Sequence, residues 1–204
     1  PHIAREARHL TVFQRTANYA IPAHNAPLDP KTEIKTKATY NEMRARAKTT
    51  PGGLDVVYNQ DLVHDATPEE QFAAFERNWK RGGLGFMSAF GDLMLEKSAN
   101  DIAAEFVREK IRATVDDPET AEKLCPKNII GAKRLCVDIN YFQTYNRDNV
   151  ELVDVSEVPI NAITQTSIQA HNIDHEIDAL VIATGFDAMN GALTQMDIRG
   201  REKV

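Results

Sequence analysis

The chain has little that would mark a metal, membrane or disulfide protein. Its 204 residues contain two cysteines, Cys125 and Cys136, with no CxxC pair and no histidine at ligand spacing. That makes a metal site an unfavoured reading and points to free thiols in a reducing, cytoplasmic setting. No apolar run approaches the about 20 residues of a membrane-spanning helix, and no basic-then-apolar leader opens the chain. A formal net charge of −6 argues against a general nucleic-acid binder, although it leaves room for a local basic pocket. The only tryptophan is Trp79, and there is neither internal repeat nor low-complexity tract. Also missing is any G-x-G-x-x-G turn, so the glycine-rich cradle that binds a dinucleotide pyrophosphate at a helix N-terminus is absent. Pro1, not Met, is the first residue, and an upstream part is expected.

What is present has the composition of a globular domain: 42% hydrophobic and 26% charged residues. The segment Asp178–Asp187, DALVIATGFD, organises the reading. Leu180, Val181 and Ile182 form a β-branched apolar run without alternation, as expected of a strand buried on both faces of a parallel sheet. Gly185 would let the backbone turn sharply, or approach a ligand, where the strand ends. An ordinary core strand closed by a glycine turn satisfies the same letters.

In chain order, Ile3, Ala4 and Ala7 fit one face of a terminal helix within His2–Arg8, and Leu10–Phe13 reads as a strand ending in Gln14-Arg15-Thr16. In a dinucleotide-binding βαβ unit the second strand ends at the adenosine ribose, where Arg suits the 2′-phosphate of NADP. The Arg15 fork and the Thr16 hydroxyl supply fitting donors; an exposed Arg after an edge strand is the plainer alternative. Pro22, Asn25 and Pro27 indicate an extended loop. Residues 30–48 predict a polar surface helix capped by Asp29, and Thr50-Pro51-Gly52-Gly53 breaks it. Thr67 and Pro68 start another, with Phe72, Ala74, Phe75 and Trp79 as its core face. Gly82-Gly83-Leu84-Gly85 reads as a connector, because it lacks the preceding strand that a phosphate loop needs.

The apolar segment Phe86–Leu95 is expected to face a partner domain or a substrate channel. Ser98 is the expected cap of a helix to about Val115, with Ala103, Phe106, Val107, Lys110, Ile111 and Thr114 inward, before a short helix at Pro118–Leu124. Lys133 and Arg134 precede an apolar run and would pass for solvated charges at a strand start. Val150–Val153, Ile160–Thr164 and Ser167–Ala170 read as an antiparallel meander leading into 178–183. His171 and His175 are placed in a surface loop.

Three stretches carry a resemblance. ALVIATGFDAMNGAL resembles the Ala-Thr-Gly segment of flavin-dependent, NADPH-using monooxygenases, and its Phe186-Asp187 continuation and Gly191 look most like the Baeyer–Villiger branch. AREARHLTVFQRTANYAIPAHNAPLD and GAKRLCVDINYFQTYNRDNVELVD are similar to two further Baeyer–Villiger segments. Ala17 stands where many relatives have Pro, and Phe142-Gln143 where Tyr-Glu is frequent; the first bears on loop stiffness, the second on local packing.

The resemblance implies a fold and an activity. The fold is α/β: a partial Rossmann-like NADPH-binding domain with a helical insertion and a β-meander. Its expected divisions are 1–29 (partial NADPH-binding domain), 30–130 (insertion), and 131–204 (the remainder and the start of a return to the FAD domain). The activity is that of an enzyme using FAD, NADPH and O₂ to convert ketones into esters or lactones, of which this chain is an interior fragment, inactive alone, whose N- and C-terminal parts are missing. Arg15, Thr16 and Lys133 would hold the NADPH 2′-phosphate. Arg134, the catalytic residue, would hold nicotinamide and stabilise the negatively charged oxygenated flavin. Ala183, Thr184 and Gly185 would line cofactor. An N- or S-oxidising flavin monooxygenase and a non-catalytic NADP-binding module are the alternatives.

Overall fold

A computed structural model describes residues 1–50, 52–56, 59–185 and 191–201, and for Ala192 the backbone only. The chain divides into two compact units, Pro1–Pro159 and Ile160–Val204.

In the first unit, α1 (His2–Glu6) leads into β1 (Leu10–Gln14), and β2 (Ala20–Pro22) follows. β1 pairs in parallel with β4 (Val150–Asp154), Leu10 opposite Val150 and Gln14 opposite Asp154. β2 pairs in parallel with β3 (Cys136–Asp138), Ala20 opposite Cys136. Parallel pairing requires a crossover between partners, and here nearly the whole helical part of the unit serves as that crossover. The α/β class with a Rossmann-like partial sheet and an inserted helical region is what the structure contains. Val150–Val153 is therefore a strand but not a member of the meander: its partner is Leu10–Phe13, about 140 residues earlier. The apolar residues of both strands, with Val12, Val150 and Leu152 packed on the core, explain that choice.

The helices start where short-range chemistry starts them. Asp29 accepts the Thr32 N–H at 2.9 Å ahead of α2 (Pro30–Ala38). The expected single helix over 30–48 is two, because Thr39 turns out of helical geometry before α3 (Tyr40–Ala47); neither buries a residue. At α4 (Pro68–Arg81) Thr67 and Glu70 form a reciprocal capping box, the Glu70 carboxylate taking the Thr67 N–H at 2.8 Å. Gly82 and Gly83 have φ of +72° and +70°, which ends α4 and opens a 3₁₀ turn over Gly83–Ser88.

α5 runs Lys97–Thr114 from Glu96, with no side-chain cap, so Ser98 is inside the helix; its hydroxyl meets His64 Nε2 at 2.8 Å instead. Asp117 caps α6 (Pro118–Leu124) by accepting the Thr120 N–H at 2.8 Å. α7 (Tyr141–Thr144) follows β3.

The core of this unit is aromatic. Phe75, Phe86, Phe90 and Phe106 are buried together, with Phe75–Phe106 centroids 5.5 Å apart and Trp79 edge-on to Phe86 at 6.2 Å. Phe72 sits at the rim, 54% exposed, its ring 5.9 Å from Phe106. Phe86, Ala89, Phe90 and Leu93 are thus spent on the chain's own core, and of that segment's large apolar side chains Met94 and Leu95 are exposed. On α5, Ala103, Phe106, Val107 and Ile111 face inward; Lys110 joins them through its ion pair with Glu76 at 2.5 Å and its position 5.1 Å above the Phe106 ring.

The second unit holds an antiparallel meander of β5 (Ala162–Ile163), β6 (Ser167–Ala170) and β7 (Ile173–Glu176), then α8 (Gly191–Thr194). His171 and Asn172, both at positive φ (+53° and +62°), form a two-residue hairpin turn, and His175 lies in β7 opposite Ile168. The loop expected at 171–175 is therefore a turn plus a strand. The expected strand at 178–183 does not form: the backbone is irregular, and Leu180, Val181 and Ile182 are 42%, 71% and 73% exposed. A buried strand needs a neighbouring strand to pair with, and among the described residues none does so. Phe186 and Asp187 lie outside the described residues.

No helix among the described residues is long and apolar enough to cross a membrane. Nor do the described residues include a group of three or more His, Cys, Asp or Glu placed to hold a metal ion.

Candidate functional site

Arg15 and Thr16 leave the carboxyl end of β1 in an exposed bend, the place at which parallel α/β sheets bind ligands. Two residues further, Asn18 turns the chain into β2. Its Oδ1 accepts the Tyr19 N–H at 3.0 Å, while Nδ2 donates to the Arg134 carbonyl at 3.3 Å and to Cys136 Sγ at 3.3 Å. The β2–β3 ladder continues that contact, with the Cys136 N–H donating to the Tyr19 carbonyl at 3.2 Å. The bend holding Arg15 and Thr16 and the bend holding Lys133 and Arg134 are therefore the entrances to two adjacent parallel strands. The two stretches lie far apart in the sequence, and the β2–β3 pairing places them side by side.

The second bend is suspended between buried anchors. Asn100, on α5 and 2% exposed, donates through Nδ2 to the carbonyls of Leu93 and Ile130, each at 2.9 Å. Its Oδ1 accepts the Ile130 N–H at 3.1 Å. Ile130 is fully buried and Leu135 nearly so, and between them residues 132–134 are exposed. Gly131 has φ +89°, and a Cβ there would lie 2.8 Å from Met94 Sδ, so the turn requires glycine.

Tyr19 anchors the other side. Fully buried, it directs its hydroxyl at the Pro126 and Asn128 carbonyls (3.1 and 2.8 Å) and accepts from the Arg108 guanidinium at 3.0 Å. Burial raises its phenol above the ordinary value, against the opposing pull of Arg108. Neither Asn18, Tyr19 nor Asn100 was singled out in the sequence, where nothing local signals a contact to a residue 116, 109 or 30 positions away.

Several cations of the helical region are paired with carboxylates. Arg108 and Arg112 are tied to Glu105, Arg112 also to Glu122, and Lys110 to Glu76. Among the described residues no hydrogen bond or ion pair engages the side chains of Arg15, Lys133 or Arg134. Three uncompensated cations and the Thr16 hydroxyl on adjoining bends suit a polyanionic group such as a phosphate.

Beyond β3 the surroundings turn apolar. Burial pushes Asp138 above the usual carboxylate range, opposed by the Tyr141 N–H it accepts. Burial likewise raises Tyr141 and Tyr145, whose hydroxyls meet at 2.9 Å. Cys136 is an exposed thiol and Cys125 a buried one, raised by burial. In the second unit, Ala183, Thr184 and Gly185 are exposed and irregular. Gly185 has φ +81° and open space where a Cβ would stand.

No protein-family model matches the chain. It is 42% identical over 199 residues to a Baeyer–Villiger monooxygenase of Pseudooceanicola batsensis, covering 96% of this chain and 36% of that protein. A phenazine N-monooxygenase of Lysobacter antibioticus is 35% identical over 198 residues, again 96% of this chain and 36% of that one. Among solved structures, an oxidised steroid monooxygenase bound to NADP superimposes with TM-score 0.92 at 46% identity, covering 100% of this chain and 39% of that one. A second, the OTEMO complex with FAD and NADP, gives TM-score 0.92 at 38% identity over 98% of this chain and 38% of its own. The chain spans somewhat more than a third of the length of the relatives it matches.

Proposed function

We propose that this chain, a relative of the Baeyer–Villiger monooxygenases along essentially its whole length, is the nucleotide-handling portion of a flavoprotein that oxygenates ketones with NADPH, FAD and O₂. One oxygen atom enters a carbon–carbon bond beside the carbonyl to give an ester or lactone; the other leaves as water, with NADPH supplying the hydride. The observation carrying this reading is the set of uncompensated cations on adjoining bends at the entrances to β2 and β3.

Residues 1–29 and 131–204 are assigned to the dinucleotide-binding part and its continuation, and 30–130 to the insertion that braces it. Arg15 offers its planar fork, and Thr16 its hydroxyl, to the 2′-phosphate that separates NADPH from NADH. Lys133 adds a second charge to the same group. Arg134, one residue further toward β3, donates to the nicotinamide end and to the negative charge that develops at the reacting centre. A guanidinium is suited to this because it is not deprotonated in proteins and has five donors in fixed geometry.

The backbone freedom of Gly185 lets the Ala183–Gly185 segment approach a cofactor closely. The described residues fit the phosphorylated end of NADPH. They do not supply a glycine-rich cradle for the FAD pyrophosphate, so FAD, which contributes the oxygen chemistry, is assigned to other parts of the enzyme and the chain alone is inactive.

The relation to a phenazine N-monooxygenase supports a second reading, in which the same cofactor machinery oxidises nitrogen. Incubating the full-length flavoprotein with NADPH, O₂ and either a cyclic ketone or an aromatic N-heterocycle separates the two. Lactone formation is the expected result. N-oxide formation without lactone would establish the second reading. NADPH binding with neither product and no flavin would overturn both in favour of a binding module.

A further inference from the structure

Ile130 is locked to α5 by two hydrogen bonds of Asn100, and Leu135 is buried where β3 begins. Between those fixed points residues 132–134 lie in solvent. Among the described residues, the side-chain hydrogen bond that reaches this exposed stretch comes from Asn18, to the Arg134 carbonyl. The Asn18 amide is fully used: one face accepts the Tyr19 N–H, and the nitrogen donates to Arg134 O and Cys136 Sγ. Asn18 itself follows Arg15 by three positions, in the connection between β1 and β2. One side chain thus ties the bend bearing Arg15 to the bend bearing Lys133.

We infer that Asn18 is a positioning residue for cofactor choice. It holds the Lys133–Arg134 bend in register with Arg15 so that the two cations meet one phosphate together. Two cations converging on a phosphate discriminate well only if neither has to be brought into place on binding, since ordering a loop at that moment costs affinity. This rests on the 2′-phosphate reading above and adds to it a residue that does not touch the nucleotide.

The test is the ratio of kcat/KM for NADPH to that for NADH in the full-length enzyme, for Asn18→Ala, Lys133→Ala and the double variant. Asn18→Ala is expected to lower the ratio roughly 3- to 10-fold, the scale of one modest hydrogen bond. It is expected to have no further effect in the Lys133→Ala background, because the residue it positions is already gone. Asn18→Ser keeps an acceptor near the Tyr19 N–H but cannot span to Arg134, and gives the same shift if Asn18→Ala folds poorly. An unchanged ratio in both Asn18 variants overturns the inference. So does an equal fall in the Lys133→Ala background, or a parallel fall for both nucleotides, which marks a merely structural role. If Lys133→Ala itself leaves the ratio intact, the phosphate reading fails first and takes this inference with it.

Discussion

Asn100 holds Ile130 by both backbone groups, its Oδ1 accepting the N–H at 3.1 Å and its Nδ2 donating to the carbonyl at 2.9 Å, as a neighbouring strand would. The second Nδ2 proton goes to Leu93 O, so one buried amide closes α5, the Leu93 turn and the start of the cation bend. Replacing Asn100 with Leu leaves those three backbone groups without partners in an apolar surround, each costing about 1–3 kcal/mol. Asn100→Leu is expected to destabilise more than Asn100→Asp, which still accepts from Ile130. Hydrogen exchange at Ile130–Cys136 in the full-length enzyme checks this; protection equal to wild type in Asn100→Leu would show that the clamp is dispensable.

The helices were legible because their signals are local. Asp29 and Thr67, read as caps, each accept the N–H three residues on, and Asp117, not singled out, does the same ahead of α6. Ser98 misled because it satisfies the same rule of composition, yet finds His64 instead of a helix N–H. Strands depend on partners that no local window contains. Val150–Val153 reads like the meander that follows it, but its apolar face belongs beside Leu10–Phe13. The cation bends were legible as charges, and the resemblance put Arg15 and Lys133 on one phosphate; the contacts that adjoin the bends, the β2–β3 ladder and Asn18 across 116 residues, were not legible.

Leu180–Ile182 is the sharpest divergence between pattern and structure. The letters ask for a strand buried on both faces, and the described residues leave all three exposed. An unpaired apolar run with open backbone groups is a site for association. The 204-residue chain, purified alone, is therefore expected to self-associate. Val181→Lys with Ile182→Glu should reduce that association, measured by light scattering. A monodisperse monomer with a sharp thermal transition in the unaltered chain would contradict it.

Two carboxylates predict opposite responses to pH. Glu76 is held below its usual range chiefly by the Lys110 hydrogen bond. Its contribution is present above the unfolded carboxylate pKa and is lost as pH falls toward the depressed value. Asp138 is raised by burial, so the folded protein binds its proton more tightly than the unfolded chain does. Its carboxylate then costs stability as pH rises from the ordinary carboxylate range through the raised value. Glu76→Gln should flatten the acid side of the stability profile, and Asp138→Asn, which still accepts the Tyr141 N–H, the side above it. Hydrogen exchange of α4–α5 and of β3–α7, followed from about pH 4 to about pH 8, resolves the two; slopes of the same sign would refute the assignment.

Arg15, Lys133 and Arg134 divide by the part of the cofactor each is proposed to meet. NADPH and NADH differ by one phosphate, so a residue that binds it affects one nucleotide and spares the other. Arg15→Ala and Lys133→Ala should each weaken NADPH by about 1.5–3 kcal/mol, roughly ten- to a hundredfold in KM, with NADH use much less changed. Arg134 is assigned to the nicotinamide end and the reacting centre, where both nucleotides are alike. Arg134→Ala should therefore keep the preference for NADPH while suppressing product formation, and flavin reduction should slow as the nicotinamide loses its anchor. The measurement is NADPH and NADH kinetics, flavin reduction and product yield for all three variants in the full-length enzyme. Arg134→Lys is the informative partial replacement: it keeps charge without the fork, so retained activity would make charge sufficient and loss would make geometry the requirement. Should Arg134→Ala oxygenate ketone normally while losing its preference for NADPH, Arg134 is a third phosphate ligand and the catalytic role assigned to it is wrong.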